Sequence, residues 1–341
     1  MTLREMGEKR LISEIIIPLL NPFGNLELAG DDCAIINIGN NRSISLSTDR
    51  VPSDLVSFSF GLINHYELGY YLAILNISDI LSSGAKPVGL LLNLAFPACF
   101  HVDNLEEIIA GAKQACETFN CQIYGGDLSD AKEMNLVATS IGIAKTNELL
   151  YRKGCSENDL VYCSDYIGIT ATAFSYFLEA KKFGMELSDS EEKILISVFK
   201  FPQMCVELSR QLASLKPNHM ITCMDNTDGI YQSLHEIGLL NRVGILLDVD
   251  SIPIHPISYK VAEFLEIDVF DLIFNAGADF KLIGTIAKTI ENNDLSRLSD
   301  NGLRIIGKVD TSLRPGTVKL VTDNEAKEIT ALGWNYYGDK Q

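Results

Sequence analysis

The chain has 341 residues, of which 47% are hydrophobic and 21% charged, and its formal net charge is −17. This length and apolar content suit two domains with real hydrophobic cores, which excludes a disordered or collagen-like chain. The acidic balance opposes binding to nucleic-acid phosphates or to an anionic membrane, so we expect neither partner. A small anionic substrate stays compatible with it, because bound metal ions reverse the local charge.

The sequence carries no sign of export or membrane insertion. No stretch reaches the roughly 18 uncharged apolar residues of a membrane helix, and the first ten residues, MTLREMGEKR, lack an apolar signal core. The eight cysteines include no C-x-x-C pair and no zinc spacing with histidine. We therefore expect a reduced, cytoplasmic protein without disulfides.

Hydrophobic periodicity predicts both helices and strands in the first part of the chain. Pro18 should end or kink the first helix, and Asp103 is the expected N-cap of the third. The predicted helices cover residues 8–20, 67–83 and 103–119, and the predicted strands cover 28–38, 43–48, 88–96, 122–124 and 136–144.

The polar segment 145–159 suggests a domain boundary, so we expect one domain over 1–145 and a second over 146–341. Strands and helices alternate in the second part too, without a regular βαβ series. This pattern predicts two α+β domains, each a mixed sheet with helices packed on one side. The predicted strands there are 159–164, 220–224, 244–249, 280–287, 303–308 and 317–321. The predicted helices are 168–183, more than one helix within 190–215, and then 228–240 and 256–265.

Aspartates recur beside glycine, serine or threonine, at strand ends or within helices. Such an aspartate usually caps a helix or completes a turn, and that alternative holds for each one taken alone. Asp79 differs, because it lies in the apolar helical stretch 72–81, where an unpaired carboxylate is costly and a cation would offset the cost. The segments are Gly30-Asp31-Asp32, Ser47-Thr48-Asp49, Ser78-Asp79, Gly125-Gly126-Asp127, Asp225-Asn226-Thr227-Asp228-Gly229 and Gly277-Ala278-Asp279.

Taken together, these aspartates indicate magnesium and phosphate chemistry. Mg²⁺ prefers hard oxygen ligands and is often held by carboxylates plus substrate phosphates. Neighbouring glycines let backbone N–H groups approach phosphate oxygens. The P-loop, kinase and Rossmann glycine signatures are absent from the sequence, so ATP binding here requires a less common fold.

The ordered set of motifs resembles the thiamine-monophosphate kinase family. That family belongs to a superfamily with aminoimidazole ribonucleotide synthetase, selenide water dikinase and a hydrogenase maturation protein. The resemblance implies the two-domain synthetase-type fold, with a homodimer formed through the N-terminal sheets and ATP near that interface. The matching segments are AGDDCAII (29–36), LSTD (46–49), LAILNISDILSSGAKP (72–87), IYGGDLS (123–129), YRKGCSENDLVYCS (151–164), CMDNTDGI (223–230) and NAGADFKLIGT (275–285).

The resemblance also implies roles for individual residues. Asp79, Asp127 and Asp228 would be catalytic. Gly126, Arg152 and Thr227 would contact ATP; a guanidinium at position 152 suits phosphate, although a surface ion pair is the alternative. The implied magnesium ligands are Asp32, Ser47, Thr48, Asp49, Asp79, Asp127, Asp225 and Asp228.

The substrate positions depart from the family pattern. Ser57 stands where the family has a histidine, Ala278 where it has a glutamate, and Lys281 where it has a second glutamate. Both glutamate replacements reduce the attraction for a cationic thiazolium ring. Trp334 lies where the family places an aromatic side chain against the substrate, with docking of the C-terminal segment on the core as an equal alternative.

The expected function is ATP- and Mg²⁺-dependent phosphorylation of thiamine monophosphate to thiamine diphosphate. One alternative keeps ATP and changes the acceptor to another small phosphorylated or amide-bearing metabolite, because the substrate positions differ. A second alternative is a non-catalytic relative that binds nucleotide as a regulator or maturation partner.

Overall fold

The computed structural model describes residues 2–7, 10–20, 30–274, 277–322 and 325–329. The first sheet is mixed, with strand order β1-β2-β5-β3-β4. Only the β3–β4 pair is parallel among its described strands. Its strands are β1 (Ala34–Gly39), β2 (Arg42–Arg50), β3 (Lys86–Phe96), β4 (Gln122–Asp130) and β5 (Asn135–Lys145).

One long buried helix lies between the first sheet and the second half of the chain. Asn64 and Glu67 form a capping box at its start, and Gly84 follows its end with φ +72°. It is apolar on nearly every side, as expected for a helix packed all round. The helices before residue 146 are α1 (Leu3–Met6), α2 (Ile17–Leu20), α3 (Val56–Ser59), the long helix α4 (His65–Ser82) and α5 (Val102–Thr118), with a π-helical turn over Leu11–Ile16 before α2.

The second sheet is also mixed, in the order β12-β11-β8-β10-β6-β9-β7. Its strands are β6 (Leu160–Ser164), β7 (Ile221–Asp225), β8 (Gly244–Asp248), β9 (Leu282–Ile286), β10 (Leu303–Asp310), β11 (Val318–Val321) and β12 (Ala326–Glu328). The accompanying helices are α6 (Ile169–Ser175), α7 (Asp189–Lys200), α8 (Val206–Leu215), α9 (Ile230–Asn241), α10 (Pro256–Phe264), α11 (Val269–Phe274) and α12 (Asn292–Asp300). Tyr176–Ala180 is a π-helical turn, and Thr146–Glu148 and Val249–Ser251 are short 3₁₀ turns.

The expected α+β fold class is confirmed, but the second sheet is covered by helices on both faces. Neighbouring residues of its central strands belong to two separate hydrophobic clusters, Val161 and Cys163 to one and Tyr162 to the other. Residues of α9 contribute to the first cluster, and residues of α8 and α12 to the second. Helices therefore cover both faces of this sheet, where one covered face was expected.

Several predicted elements differ in detail from the structure. Pro18 lies inside α2, directly after the π-helical turn Leu11–Ile16, and the helical run continues past it to Leu20. His101 is the N-cap of α5, and Asp103 lies in the first turn. Strand β4 runs on to residue 130, because residues 125–127 pair with β3. Helices α1, α3, α11 and α12 and strand β12 were not predicted.

The two halves of the chain share side-chain contacts across α4. The rings of Tyr71 on α4 and Phe280 meet edge to face at 5.6 Å. At the end of α4, Ser209 Oγ donates to the Leu81 carbonyl at 2.6 Å, and Leu150 N donates to the Ser83 carbonyl at 3.0 Å. The division into domains 1–145 and 146–341 remains a prediction. Within the described residues, no helix combines the length and apolarity needed to cross a membrane.

Candidate active site

Three carboxylates from distant parts of the chain meet at the end of α4. They belong to Asp32, which precedes β1, to Asp79 on α4, and to Asp225, the last residue of β7. One oxygen of each lies within 4.8 Å of the others. In the part of the chain that the structure describes, this is the one such group of three acidic, cysteine or histidine side chains. We call it the carboxylate cluster.

Each member of the carboxylate cluster accepts a hydrogen bond from a serine hydroxyl. Helix α4 supplies two of these serines, and β2 supplies the third. The pairs are Ser82 with Asp32 at 2.5 Å, Ser47 with Asp79 at 2.6 Å, and Ser78 with Asp225 at 2.5 Å. These bonds fix the orientation of the three carboxyl groups without neutralising them.

Two members of the carboxylate cluster have raised pKa values. Burial, followed by the charge of Asp32, raises the pKa of Asp225 to about 8. Burial, followed by the charges of Asp225 and Asp49, raises the pKa of Asp79 well above its usual range. Asp49 is further held by its backbone N–H, which donates to Asn76 Oδ1 at 3.0 Å. Carboxylates so close together need either protons or a cation.

Arg152 supplies the positive charge nearest to this group. Its Nε donates to Asp32 Oδ1 at 2.6 Å and its Nη1 to Glu236 Oε2 at 3.1 Å, while its backbone N–H donates to Asp31 at 3.1 Å. Burial lowers the pKa of Arg152, but Asp32 and Asp31 outweigh burial and raise it. Burial and then Asp32 raise the pKa of Asp31 to about 6. The Arg152 side chain is only 20% exposed, so these are not surface ion pairs.

The carboxylate cluster suits a hard divalent cation. It offers three carboxylates, each bonded to a serine hydroxyl, and the group contains no nitrogen or sulfur ligand. A cation bound there would remove the repulsion that raises the pKa of Asp79 and Asp225. These residues therefore fit the expected magnesium ion.

The loop after β7 is bonded to the loop before β9. Ala278 N donates to the Thr227 carbonyl at 2.7 Å, and Asn226 N donates to the Lys281 carbonyl at 2.7 Å. A side chain on Gly277 would place its Cβ 1.9 Å from the Thr227 oxygen, so glycine is required for this approach. Thr227 and Asp228 are half-buried in this pair of loops.

Two further residues of the loop before β9 have structural partners. Asp279 accepts hydrogen bonds from Gly168 N at 2.6 Å and Thr170 N at 3.1 Å, and so caps α6. Lys281 forms an ion pair with Asp165 at 3.2 Å. The lysine charge is therefore already balanced within the chain.

Three other expected site residues, Gly126, Asp127 and Thr48, lie on strands of the first sheet. Gly126 and Asp127 are exposed on the edge strand β4. Two strands separate β4 from the strand of Asp49, a distance of about 14 Å at the usual strand spacing. A Cβ on Gly126 would lie 1.7 Å from the Leu92 oxygen. Thr48 Oγ1 donates to the Ala138 carbonyl at 3.0 Å.

Two of the expected substrate residues are partly or fully buried in the structure. Ser57 is 3% exposed, and its carbonyl accepts hydrogen bonds from Leu62 N and Ile63 N. Ala278 is half-buried and has a φ of +65°. Trp334 lies outside the described residues.

Sequence reasoning missed four residues of the site. Ser78 and Ser82 are spaced four apart on α4, a signal that both hydroxyls face the same side as Asp79. Asn76 lies in the matching segment 72–87 but was given no role. Glu236 had no signal, because it is 84 residues from its partner Arg152.

The first part of the chain, which carries Asp32 and Asp79, matches a known domain family. Residues 30–144 match the family model of the AIR synthase related protein, N-terminal domain. This part of the chain is therefore similar to the N-terminal domain of the AIR synthase related proteins.

Over most of its length the chain is related to the thiamine-monophosphate kinases, and the expected resemblance is confirmed. The enzyme of that name from Pyrococcus abyssi is 26% identical over 326 residues, which cover 95% of this chain and 94% of the relative. The Bacillus subtilis enzyme is 26% identical over 314 residues, or 90% of this chain and 92% of the relative.

Solved structures share the fold. The structure described as AaThiL complexed with AMPPCP and TMP superposes with a TM-score of 0.78 at 20% identity, covering 98% of this chain and 99% of that one. The hydrogenase maturation protein HypE in complex with ATP superposes with a TM-score of 0.68 at 17% identity, covering 98% of both chains. The fold alone therefore does not choose between these activities.

Proposed function

We propose that this chain transfers the γ-phosphoryl group of ATP to thiamine monophosphate, giving thiamine diphosphate and ADP. The observation that carries the proposal is the carboxylate cluster with Arg152 beside it. Its residues come from the segments that match the thiamine-monophosphate kinases, to which the chain is related over most of its length. This relationship favours the kinase over the other activities of the same fold.

In this proposal the carboxylate cluster holds Mg²⁺, together with Asp49 and the hydroxyls of Ser47 and Thr48. When bound, Mg²⁺ supplies positive charge against the phosphate oxygens. Arg152 has donors suited to a phosphate, and Gly126 and Thr227 are its proposed companions at the nucleotide. Asp127 and Asp228 complete the proposed ligand set, and with Asp79 they are the proposed catalytic residues.

The transfer itself needs no protein base. A phosphate oxygen of the acceptor, already ionised at neutral pH, attacks the γ-phosphorus in line as the bond to the ADP oxygen breaks. The work of the chain is then to position the two phosphates and offset their charge. Ser57, Ala278 and Trp334 are the proposed acceptor-side residues, and the Lys281–Asp165 pair removes one objection to a cationic acceptor.

We also propose a homodimer formed through the outer face of the first sheet. Apolar side chains are exposed there in quantity, with Leu91 42%, Tyr124 54% and Ile36 49% accessible. Pairing would bring the exposed β4 strand, which carries Asp127, against a second chain. Light scattering after size-exclusion chromatography should show a dimer, and Leu91→Asp should shift it to a monomer. A wild-type monomer at micromolar concentration would overturn this part.

The cytoplasm is the proposed location, supported by eight free cysteines.

The test of function is ADP release with Mg²⁺, ATP and thiamine monophosphate, with chromatography of the product. Wild-type protein should form thiamine diphosphate. Asp79→Asn should reduce turnover at least about 100-fold, a loss of about 2.7 kcal/mol of transition-state stabilisation. Glu106→Gln, which changes an exposed carboxylate on α5, is the control and should retain full activity. Thiamine diphosphate formation by Asp79→Asn at the wild-type rate would refute the proposed metal site.

A further inference from the structure

Two cysteines occupy matched positions at the end of α5. Cys121 N donates to the Cys116 carbonyl at 2.8 Å, and Asn120 N donates to the Glu117 carbonyl at 3.2 Å. Asn120 between them has a φ of +52°. These bonds define a Schellman motif, in which the first and last residues of the closing turn bring their side chains together. In this chain both of those residues are cysteines.

The backbone bond limits how far apart the two cysteines can be. With a donor–acceptor distance of 2.8 Å, standard bond lengths keep the Cα atoms within about 6.7 Å of each other. Disulfides span Cα separations of about 4.4–6.8 Å. The closed turn therefore holds the pair at a spacing that a disulfide can bridge without unfolding the helix.

The two thiols differ in accessibility and in acidity. Cys116 is 1% exposed and packs in the core, whereas Cys121 is half-buried at the start of β4. A hydrogen bond between the two side chains raises the pKa of Cys116 and lowers the pKa of Cys121. Cys121 is thus the thiol that reacts first, and Cys116 is the thiol positioned to resolve the product.

We propose that Cys116 and Cys121 form a reversible dithiol–disulfide pair that a hydroperoxide oxidises in the folded chain. The Cys121 thiolate attacks the peroxide oxygen, which gives a sulfenic acid and releases hydroxide or an alkoxide. The Cys116 thiol then attacks the Cys121 sulfur, so that the S–S bond forms and water leaves. Two electrons pass from the thiols to the peroxide, and a dithiol reductant returns them. The disulfide joins the end of α5 to the start of β4, the strand that carries Gly126 and Asp127.

Peptide mapping of the full chain tests this proposal directly. Trypsin cleaves after Lys113 and Lys132 and so releases both cysteines on one peptide, residues 114–132. Protein is treated with hydrogen peroxide in native buffer, denatured, alkylated and digested. We expect this peptide to lose both alkylation sites together and to be lighter by two hydrogen atoms than the reduced peptide. Dithiothreitol should restore both sites, and circular dichroism should be unchanged by the oxidation.

Variants distinguish a cysteine pair positioned by the fold from unspecific oxidation of thiols. Cys121→Ser should leave Cys116 reduced, and Cys116→Ser should leave Cys121 as a sulfenic acid that dimedone traps. Cys99→Ser removes an exposed thiol and should not affect the pair. If the Cys116 variant does not fold, the comparison of the peptide maps of the wild type and Cys121→Ser is sufficient to test the proposal. A peptide 114–132 that stays doubly alkylated while Cys99 is oxidised would overturn the proposal, whatever the enzymatic activity proves to be.

Discussion

The hydroxyl of Ser47 on β2 donates a 2.6 Å hydrogen bond to Asp79 on α4. This bond crosses from the first sheet to the buried helix and orients the middle member of the carboxylate cluster. The same helix supplies Ser78 and Ser82 to the other two carboxylates. A single rigid element thus positions the whole cluster, even though its members are nearly 200 residues apart in sequence.

The Ser47 hydroxyl should contribute to catalysis more than to stability. Ser47→Ala removes one hydrogen bond to a carboxylate, worth about 1.5–3 kcal/mol when the carboxylate is charged. We expect turnover with Mg²⁺ and ATP to fall about tenfold or more, because Asp79 is no longer fixed. The matched control is Ser43→Ala, which removes a buried hydroxyl of the same strand that bonds to Thr146. Equal activity of both variants would contradict the role given to Ser47.

The carboxylate cluster should make the metal-free protein less stable as the pH rises. Asp225 titrates near 8 in the folded chain but near 3.8 as an ordinary side chain. Between these values the folded state binds more protons than the unfolded state, so the free energy of unfolding falls with increasing pH. One such group contributes a slope of up to about 1.4 kcal/mol per pH unit. The contribution is complete below about pH 4 and is lost by about pH 8.

Urea unfolding from pH 5 to 8.5, with and without Mg²⁺, measures this slope. Asp79 and Asp31 also have raised pKa values and add slopes of the same sign, whereas Glu191 has a lowered pKa and adds a slope of the opposite sign. The decisive quantity is therefore the difference between the wild type and Asp225→Asn. We expect the variant to be the more stable of the two at pH 8 without Mg²⁺. We also expect saturating Mg²⁺ to flatten the wild-type curve only. A wild-type slope equal to that of the variant would show that Asp225 does not titrate in this range.

Much of this arrangement follows from the sequence, and the rest depends on contacts between distant residues. The periodicity of residues 67–83 predicted α4, and its apolar surroundings singled out Asp79. The pairing of Arg152 with Glu236 could not be predicted, because nothing local to α9 indicates a partner 84 residues away. The extent of β4 was missed because glycines normally break strands, whereas pairing with β3 outweighs that preference here.

The motif before β9 shows the same limit. The sequence placed Ala278 and Lys281 at substrate positions. In the structure Lys281 pairs with Asp165, and the neighbouring Asp279 caps α6. The sequence pattern cannot tell a residue that faces a ligand from one that supports the loop, because both uses favour the same polar side chains at a turn.

Removal of the Arg152 side chain should destabilise the protein more than a surface ion pair could. Arg152→Ala leaves the buried Asp32 carboxylate without its cation, a loss that typically costs about 3–5 kcal/mol. Arg152→Lys keeps the charge but loses the several N–H donors of the guanidinium group. Its stability should lie between that of the wild type and that of the alanine variant. Glu236→Gln is the control, because it keeps the size of the other partner. A chemical denaturation midpoint for Arg152→Ala equal to that of the wild type would contradict a buried pair.

The Asp279 carboxylate should act as a support for the paired loops. It is 6% exposed and accepts two backbone hydrogen bonds at the start of α6. Asp279→Ala leaves the N–H groups of Gly168 and Thr170 buried without acceptors, so we expect a loss of about 2–4 kcal/mol in the free energy of unfolding.

Asp279→Asn is the informative comparison, since its side-chain oxygen can still cap the helix and its stability should lie closer to the wild type. If the cap supports catalysis by holding the loop before β9 in place, turnover should decrease in the same order as stability, from the wild type to Asp279→Asn to Asp279→Ala. Turnover is measured at a temperature where all three proteins are folded. The reason is that Ala278 is bonded both to Thr170 of α6 and to Thr227 of the opposite loop. Denaturation midpoints and turnover measured on the same samples test both statements. If Asp279→Ala is as stable as the wild type, the cap is dispensable. If the two variants are equally stable but lose turnover to different extents, Asp279 acts directly at the substrate.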